Sequence, residues 1–169
     1  MIVNLSATDP FTVVARAIVA ALRARPAFMA LVQTGNIVDM TDPAFQQFKE
    51  NLSAADLPEV IVRQGAFAMK PLGRNSMAGW LGQTYELICV TDFVNSVGLN
   101  QINWQAFLAL FQSGVDLGAT GLVSFWQVLG GADSLVGPSG QDAQGSKRLV
   151  SALKIEVEMQ VAKTTLQTL

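Results

Sequence analysis

Residues 153 to 161 read Leu153-Lys154-Ile155-Glu156-Val157-Glu158-Met159-Gln160-Val161, a strict alternation of apolar and polar side chains. Successive side chains of a strand point to opposite faces, so this period of two predicts a β-strand with one row in a core and the other row turned outward. Lys154, Glu156, Glu158 and Gln160 form the outward row, against solvent or a partner. A sheet with one such face is typically antiparallel and covered on its other side. What lies upstream supplies both the other strands and the cover.

Working back, Leu122 to Leu129 is apolar and bracketed by Gly121 and Gly130-Gly131, which predicts a short strand. Gln83 to Asp92 and Glu59 to about Met69, opened by Val60-Ile61-Val62, read as two more strands. Gly73 to Gly82 reads as a glycine-rich connection between them. Helical spacing marks two main helices. Asp9-Pro10 starts the first, on which Phe11, Val14, Ala15, Ile18, Val19 and Leu22 recur on one face, and Pro26 ends it. Its other face carries Val13, Ala17, Ala20, Ala21 and Ala24 beside Arg16, Arg23 and Arg25, so cover on more than one side is expected. The other, Asn103 to Gln112, puts Trp104, Phe107, Leu108 and Phe111 on one stripe, read as core-facing. A shorter helix after Asp42-Pro43 carries Phe45 and Phe48. The expected architecture is a single α+β domain over residues 1–169, with a mainly antiparallel sheet of about four strands, helices on one face, and a long loop at about 131–146.

Composition narrows the function. Of 169 residues, 50% are hydrophobic and 14% charged, against about 25% charged in an ordinary soluble domain. A folded chain of 18.0 kDa exposes roughly 8,000 Å², which 11 basic and 13 acidic side chains cover thinly. Part of that surface is expected to be buried against other subunits. Mean hydropathy is +0.36, yet no run approaches the ~20 apolar residues of a membrane span. The opening residues lack the pattern of a secretory signal, which predicts a cytoplasmic site of synthesis and assembly and no membrane partner. Cys89 lies within Leu87-Ile88-Cys89-Val90 and is expected to be buried and inert.

Much of the usual catalytic chemistry is missing from the chain. There is no histidine, which removes Ser-His-Asp and Cys-His nucleophile systems and histidine-containing zinc sites. Gly140 to Lys147 imitates a phosphate-binding loop, but its order Gly145-Ser146-Lys147-Arg148 and the strand that follows do not fit one. Gly73, Gly79 and Gly82 lack dinucleotide-fingerprint spacing. Glu156 and Glu158 share a strand face without a calcium-type loop, so a solvated face is the reading. No catalytic residue, cofactor site or metal site is expected. A net charge of −2 without a basic run longer than Lys147-Arg148 argues against sequence-independent nucleic-acid binding by the monomer, and no sequence-specific nucleic-acid binding is expected. Trp80, between Met77 and Leu81 in the glycine-rich connection, has no evident intrachain role, and with Leu135 and Val136 of the long loop these residues are the candidate subunit interface.

Several segments carry a resemblance. An N-terminal helix, the strand opening Leu57-Pro-Glu-Val-Ile-Val62, the strand Tyr85-Glu-Leu-Ile-Cys-Val90, a following helix and the closing Leu153-Lys-Ile-Glu-Val-Glu-Met159 together resemble the tail terminator and tail completion proteins of tailed bacteriophages. The resemblance covers most of the chain in size and element order, without a diagnostic motif. It implies a non-enzymatic virion subunit that forms a ring, often hexameric, capping the tail tube and joining it to the neck. The partners it implies are other copies of the chain and tail-tube and neck proteins, with DNA passing through the ring. A neck or head-completion ring is the nearest alternative. The row Lys154, Glu156, Glu158 and Gln160 suits a channel wall or an outer surface equally. Two other readings stay open from the residues alone: a small-ligand module built on Trp80, Trp104 and Trp126, and a carboxylate-only enzyme.

Overall fold

The computed structural model describes residues 10–39, 54–71, 78–92, 95–112, 123–136 and 148–162. Helix α1 (Pro10–Arg23) is followed by the single turn α2 (Pro26–Met29), a 3-10 turn at Thr34–Asn36 and the short strand β1 (Ile37–Asp39). After a 3-10 turn at Ala54–Asp56 come β2 (Glu59–Pro71), β3 (Ala78–Asp92), α3 (Ser96–Gln112), β4 (Val123–Val136) and β5 (Arg148–Ala162). The sheet order is β1-β2-β3-β5-β4. It is an α+β fold, but the expected four antiparallel strands become five in a mixed sheet. β1 pairs in parallel with β2, Ile37 opposite Val60. Three residues are too few to show a period, which is why periodicity does not reveal this strand. The helix expected after Pro43 falls outside the described residues.

The alternation in β5 does what its pattern requires. Leu153, Ile155, Val157 and Met159 are buried, and Lys154 is exposed while Glu156 and Glu158 are half-buried. Across the ladder, Leu153, Ile155, Val157 and Met159 stand opposite Leu87, Tyr85, Gln83 and Leu81 of β3. Together these rows make the sheet side of one core, which α1 closes with Val14, Ala15, Ile18, Val19 and Leu22, and α3 with Leu99, Ile102, Ala106, Ala109 and Leu110. Cys89 is fully buried there. Tyr85, the largest fully buried side chain among the described residues, donates its hydroxyl to the Phe11 carbonyl at 2.9 Å and so ties the first turn of α1 to the centre of the sheet. Tyr85→Phe removes that donor while keeping the ring. The expected cost is about 1 kcal/mol, seen as a lower denaturant midpoint with an unchanged slope.

Three boundaries moved for physical reasons. Pro26, read as a helix stop, also occupies the first position of α2, where its missing N–H is harmless. α3 begins at Ser96, well before the expected start at Asn103, because the Asn95 side chain accepts a hydrogen bond from the Gly98 N–H at 3.0 Å and caps the first turn. A side chain at position 98 would collide with that cap. β4 runs through Gly130-Gly131 to Val136, so the loop expected from residue 131 loses its first six residues to a strand. Glycine did not end the strand because the ladder with β5 absorbs it through an irregularity between Val128 and Gly130.

Candidate functional site: two open surfaces of the fold

The outer face of the sheet is built from the polar rows. Arg63, Glu86 and Lys154 stand directly opposite one another on β2, β3 and β5. Arg63 donates to Glu86 at 2.7 Å and forms an ion pair with it. Two residues along, Gln127 of β4 donates to Glu156 at 2.7 Å. In the outward row of β5, Glu156 thus accepts a hydrogen bond from the neighbouring strand, a contact that sequence spacing could not reveal. Beside it lies a depression of about 190 Å³ lined by Ala66, Phe67, Ala68, Gly82, Thr84, Glu156 and Glu158. That volume lies below the roughly 300 to 1,000 Å³ of a small-molecule pocket. Among the described residues, no three carboxylate or thiol groups gather as metal ligands would.

The base of this face is ordered by polar contacts around the irregularity in β2 at Gln64–Phe67. Gln83, almost wholly buried, donates to the Gly65 carbonyl at 3.0 Å, and the Thr84 hydroxyl donates to the Ala66 carbonyl at 3.0 Å. A Cβ at position 65 would press on the Thr84 side chain, which accounts for glycine at that place. At the other end of the strands Arg148, 7% exposed, donates to Asp92 at 2.6 Å and joins β5 to β3 where both meet their connections.

The second open surface is apolar and lies on α3. Trp104, Phe107 and Phe111 stack in succession, with ring centroids 5.6 and 5.3 Å apart and planes inclined by 19° and 14°. Trp104 is 57% exposed, Phe111 66% and Val97 69%, with Phe107 and Leu108 half-buried. This corrects the expectation that the Trp104 stripe faces the core. The helix carries two apolar stripes, and the slimmer one of Leu99, Ile102, Ala106, Ala109 and Leu110 went inward. Ala106 and Ala109 allow close approach to α1 and the sheet where aromatic rings would not fit. A polar pair holds the same rotation: the Ser151 hydroxyl, 1% exposed, donates to Asn103 at 2.9 Å. Rolling the helix to bury Trp104 would strand Ser151. A sequence signal did exist, since Ser96 to Gln112 contains no charged residue.

The other assigned interface residues are distributed differently. Trp80 and Leu81 belong to β3, not to a glycine-rich connection, and Trp80 is paired with Lys70 and Gln160. Leu81 is 8% exposed and packs in the core, so it faces inward within the subunit. Leu135 and Val136 lie on β4 opposite Leu149 and Arg148, and so belong to a strand end rather than a loop. Met77 lies outside the described residues. On α1, the face opposite the core is exposed at Arg16, Ala20 and Arg23, so among the described residues the core covers this helix on one side. Phe67, 68% exposed, touches only the edge of the core through Phe11, at 5.9 Å between ring centroids.

This two-helix cover over a mixed five-stranded sheet has a counterpart of known structure. A solved chain from the "Virion of native gene transfer agent (GTA) particle" superposes with a TM-score of 0.53 over 85% of this chain and 93% of that one, at 14% sequence identity. The two chains share a fold. The overlap spans nearly the whole of each, so the likeness concerns the entire domain rather than a common sub-motif. No family model matches the sequence, and no curated protein matches it. No helix among the described residues is long and apolar enough to cross a membrane.

Proposed function

We infer that this protein is a structural subunit of a virion or virion-like particle, without catalytic activity, and that its copies form a ring, often hexameric in the tail terminators it resembles, which ends the tail tube and joins it to the neck. The observation that carries this reading is the end-to-end fold likeness to a chain of a virion particle. The surface of the subunit supports it. Five large apolar side chains of α3, three of them more than half exposed, are costly to leave in water and belong to a surface that is covered in an assembly. The sheet face, where Arg63 pairs with Glu86 and Lys154 shares a row with Glu156 and Glu158, presents neither a basic stripe nor a purely acidic one, which suits a wall that DNA slides past. Ring symmetry uses two different patches of each subunit, and such patches bury much of a chain that carries little charge.

Negative-stain microscopy and sedimentation of the purified protein, alone and with tails assembled without it, test the reading. Rings of uniform size at the head-proximal end of the tube are the expected result. Rings bound to the head vertex instead would move the subunit to the neck. A monomer that neither self-associates nor binds tubes or heads would sink the proposal.

A further inference from the structure

Among the described residues four large apolar side chains are strongly exposed, and three of them, Val97, Trp104 and Phe111, lie seven residues apart on α3. Seven residues make two turns less about 20°, so the three fall on one line along the helix. Asn100, exposed, and Phe107, half-buried, each follow three residues after the first two and complete the a and d positions of two heptads. The stripe is therefore a seam and not a scattered patch. A helix meets a core through a broader face, which α3 already has in Leu99, Ile102, Ala106, Ala109 and Leu110. A second, narrow line at 3.5-residue spacing is the form that packs against another helix. The stacking of Trp104, Phe107 and Phe111 holds that line in place.

We propose that this seam pairs with itself in the free protein, α3 of one copy lying parallel to α3 of a second copy. What fits a heptad seam is another such seam, and each copy brings one. No charge lies between Ser96 and Gln112, so a two-fold axis, which sets each residue near its own equivalent, meets no repulsion along the helix. Charge on the neighbouring helix decides the direction. α1 and α3 lie side by side on one face of the sheet. An antiparallel pair of α3 helices would set α1 over α1 of the other copy, with the exposed Arg16 and Arg23 of both facing like charge. A parallel pair puts the two α1 helices on opposite sides. It also sets Asn100 against Asn100 of the other copy, where each amide can donate and accept, and a polar residue in the seam fixes register. Area sets the strength. An aromatic side chain buries about 150 to 250 Å², so the exposed parts of Trp104 and Phe111 amount to roughly 100 to 150 Å² each and the seam to roughly 400 Å² per copy. A stable complex buries about 800 Å² per partner. The pair is therefore weak and exchangeable, which leaves the same stripe available for the particle. A two-fold contact does not close a ring, so the pair is a separate state that goes beyond the ring.

Sedimentation velocity of the full chain, from micromolar to near-millimolar concentration, tests the pair. The expected result is a monomer–dimer equilibrium that Trp104→Ser and Asn100→Asp each weaken at least about tenfold, with circular dichroism and thermal melting unchanged. Asn100→Cys in a Cys89→Ala background, oxidised at high concentration, should give a covalent dimer by itself. Cross-linking that appears only when Asn100→Cys is mixed with Leu108→Cys would reverse the direction and overturn the parallel pair. A monomer at every concentration, or a dimer that neither substitution weakens, overturns the pairing altogether. A dimer with the expected responses whose protein joins neither tubes nor heads supports the pairing and counts against the ring reading instead.

Discussion

If the chain assembles as proposed, replacing Trp104 and Phe111 together by serine is expected to weaken its docking by about two to three orders of magnitude, with thermal stability nearly unchanged. The reason lies in where these rings spend their surface. Trp104 is 57% and Phe111 66% exposed, so the isolated fold gains little from them, and serine costs only a few tenths of a kcal/mol in helix propensity. In an interface the same rings act as anchors, each contributing about 2 kcal/mol when truncated. Two such losses correspond to roughly a thousandfold in affinity if they add, and stacked neighbours usually add incompletely. Co-sedimentation of the variant with tails assembled without it, beside its thermal melt and far-ultraviolet circular dichroism, checks this. Normal docking by a correctly folded variant would remove the α3 stripe from the assembly surface.

Ile155→Ala should do the reverse: stability falls by about 2 to 5 kcal/mol, and the loss of assembly follows only from the loss of folded protein. Ile155 is fully buried at the centre of the ladder, opposite Tyr85 on β3 and Val128 on β4. Truncation there leaves a cavity that close-packed neighbours on three strands cannot collapse into. Such a loss is a large part of the total stability of a domain of this size. Denaturant titration gives the free energy directly. Assembly measured per folded molecule at low temperature should match that of the parent protein. A change below about 0.5 kcal/mol would contradict the placement of β5 in the core.

How far the residues alone carried the fold depended on whether a segment had one apolar face or two. β5 has one, and α1 has one stripe of large apolar side chains with small alanines and arginines opposite; their inward residues, Leu153 to Met159 and Val14 to Leu22, lie where the periodicity put them. α3 has two, and periodicity cannot rank them. The aromatic stripe is larger and more hydrophobic, so it looked like the core side, but the space between α1 and the sheet admits only the slimmer stripe with Ala106 and Ala109. β1 and α2 were too short to carry a pattern. Their existence follows from what they pack against: Phe28 of α2 and Ile37 of β1 are both buried in the common core.

The candidate surfaces divide in the same way. The outward row of β5 was readable from its alternation, whereas the Gln127–Glu156 hydrogen bond and the neighbouring Arg63–Glu86 pair required strands distant in sequence to be placed side by side. Trp80 looked like an orphan because the glycines around it read as a loop, yet the ladder to Lys70 and Gln160 makes it part of β3. By itself the sequence determined the α+β class, the direction of the strand and helix faces with a single stripe, the burial of Cys89 and the scarcity of charge, because these depend on local period and composition. Only the tertiary structure decided which stripe of α3 meets water, which strands form the edges and which outer polar groups meet across the strands. Those outcomes are set by competition among segments for one limited core volume and by the register of strands tens of residues apart, neither of which is written into any single stretch of chain.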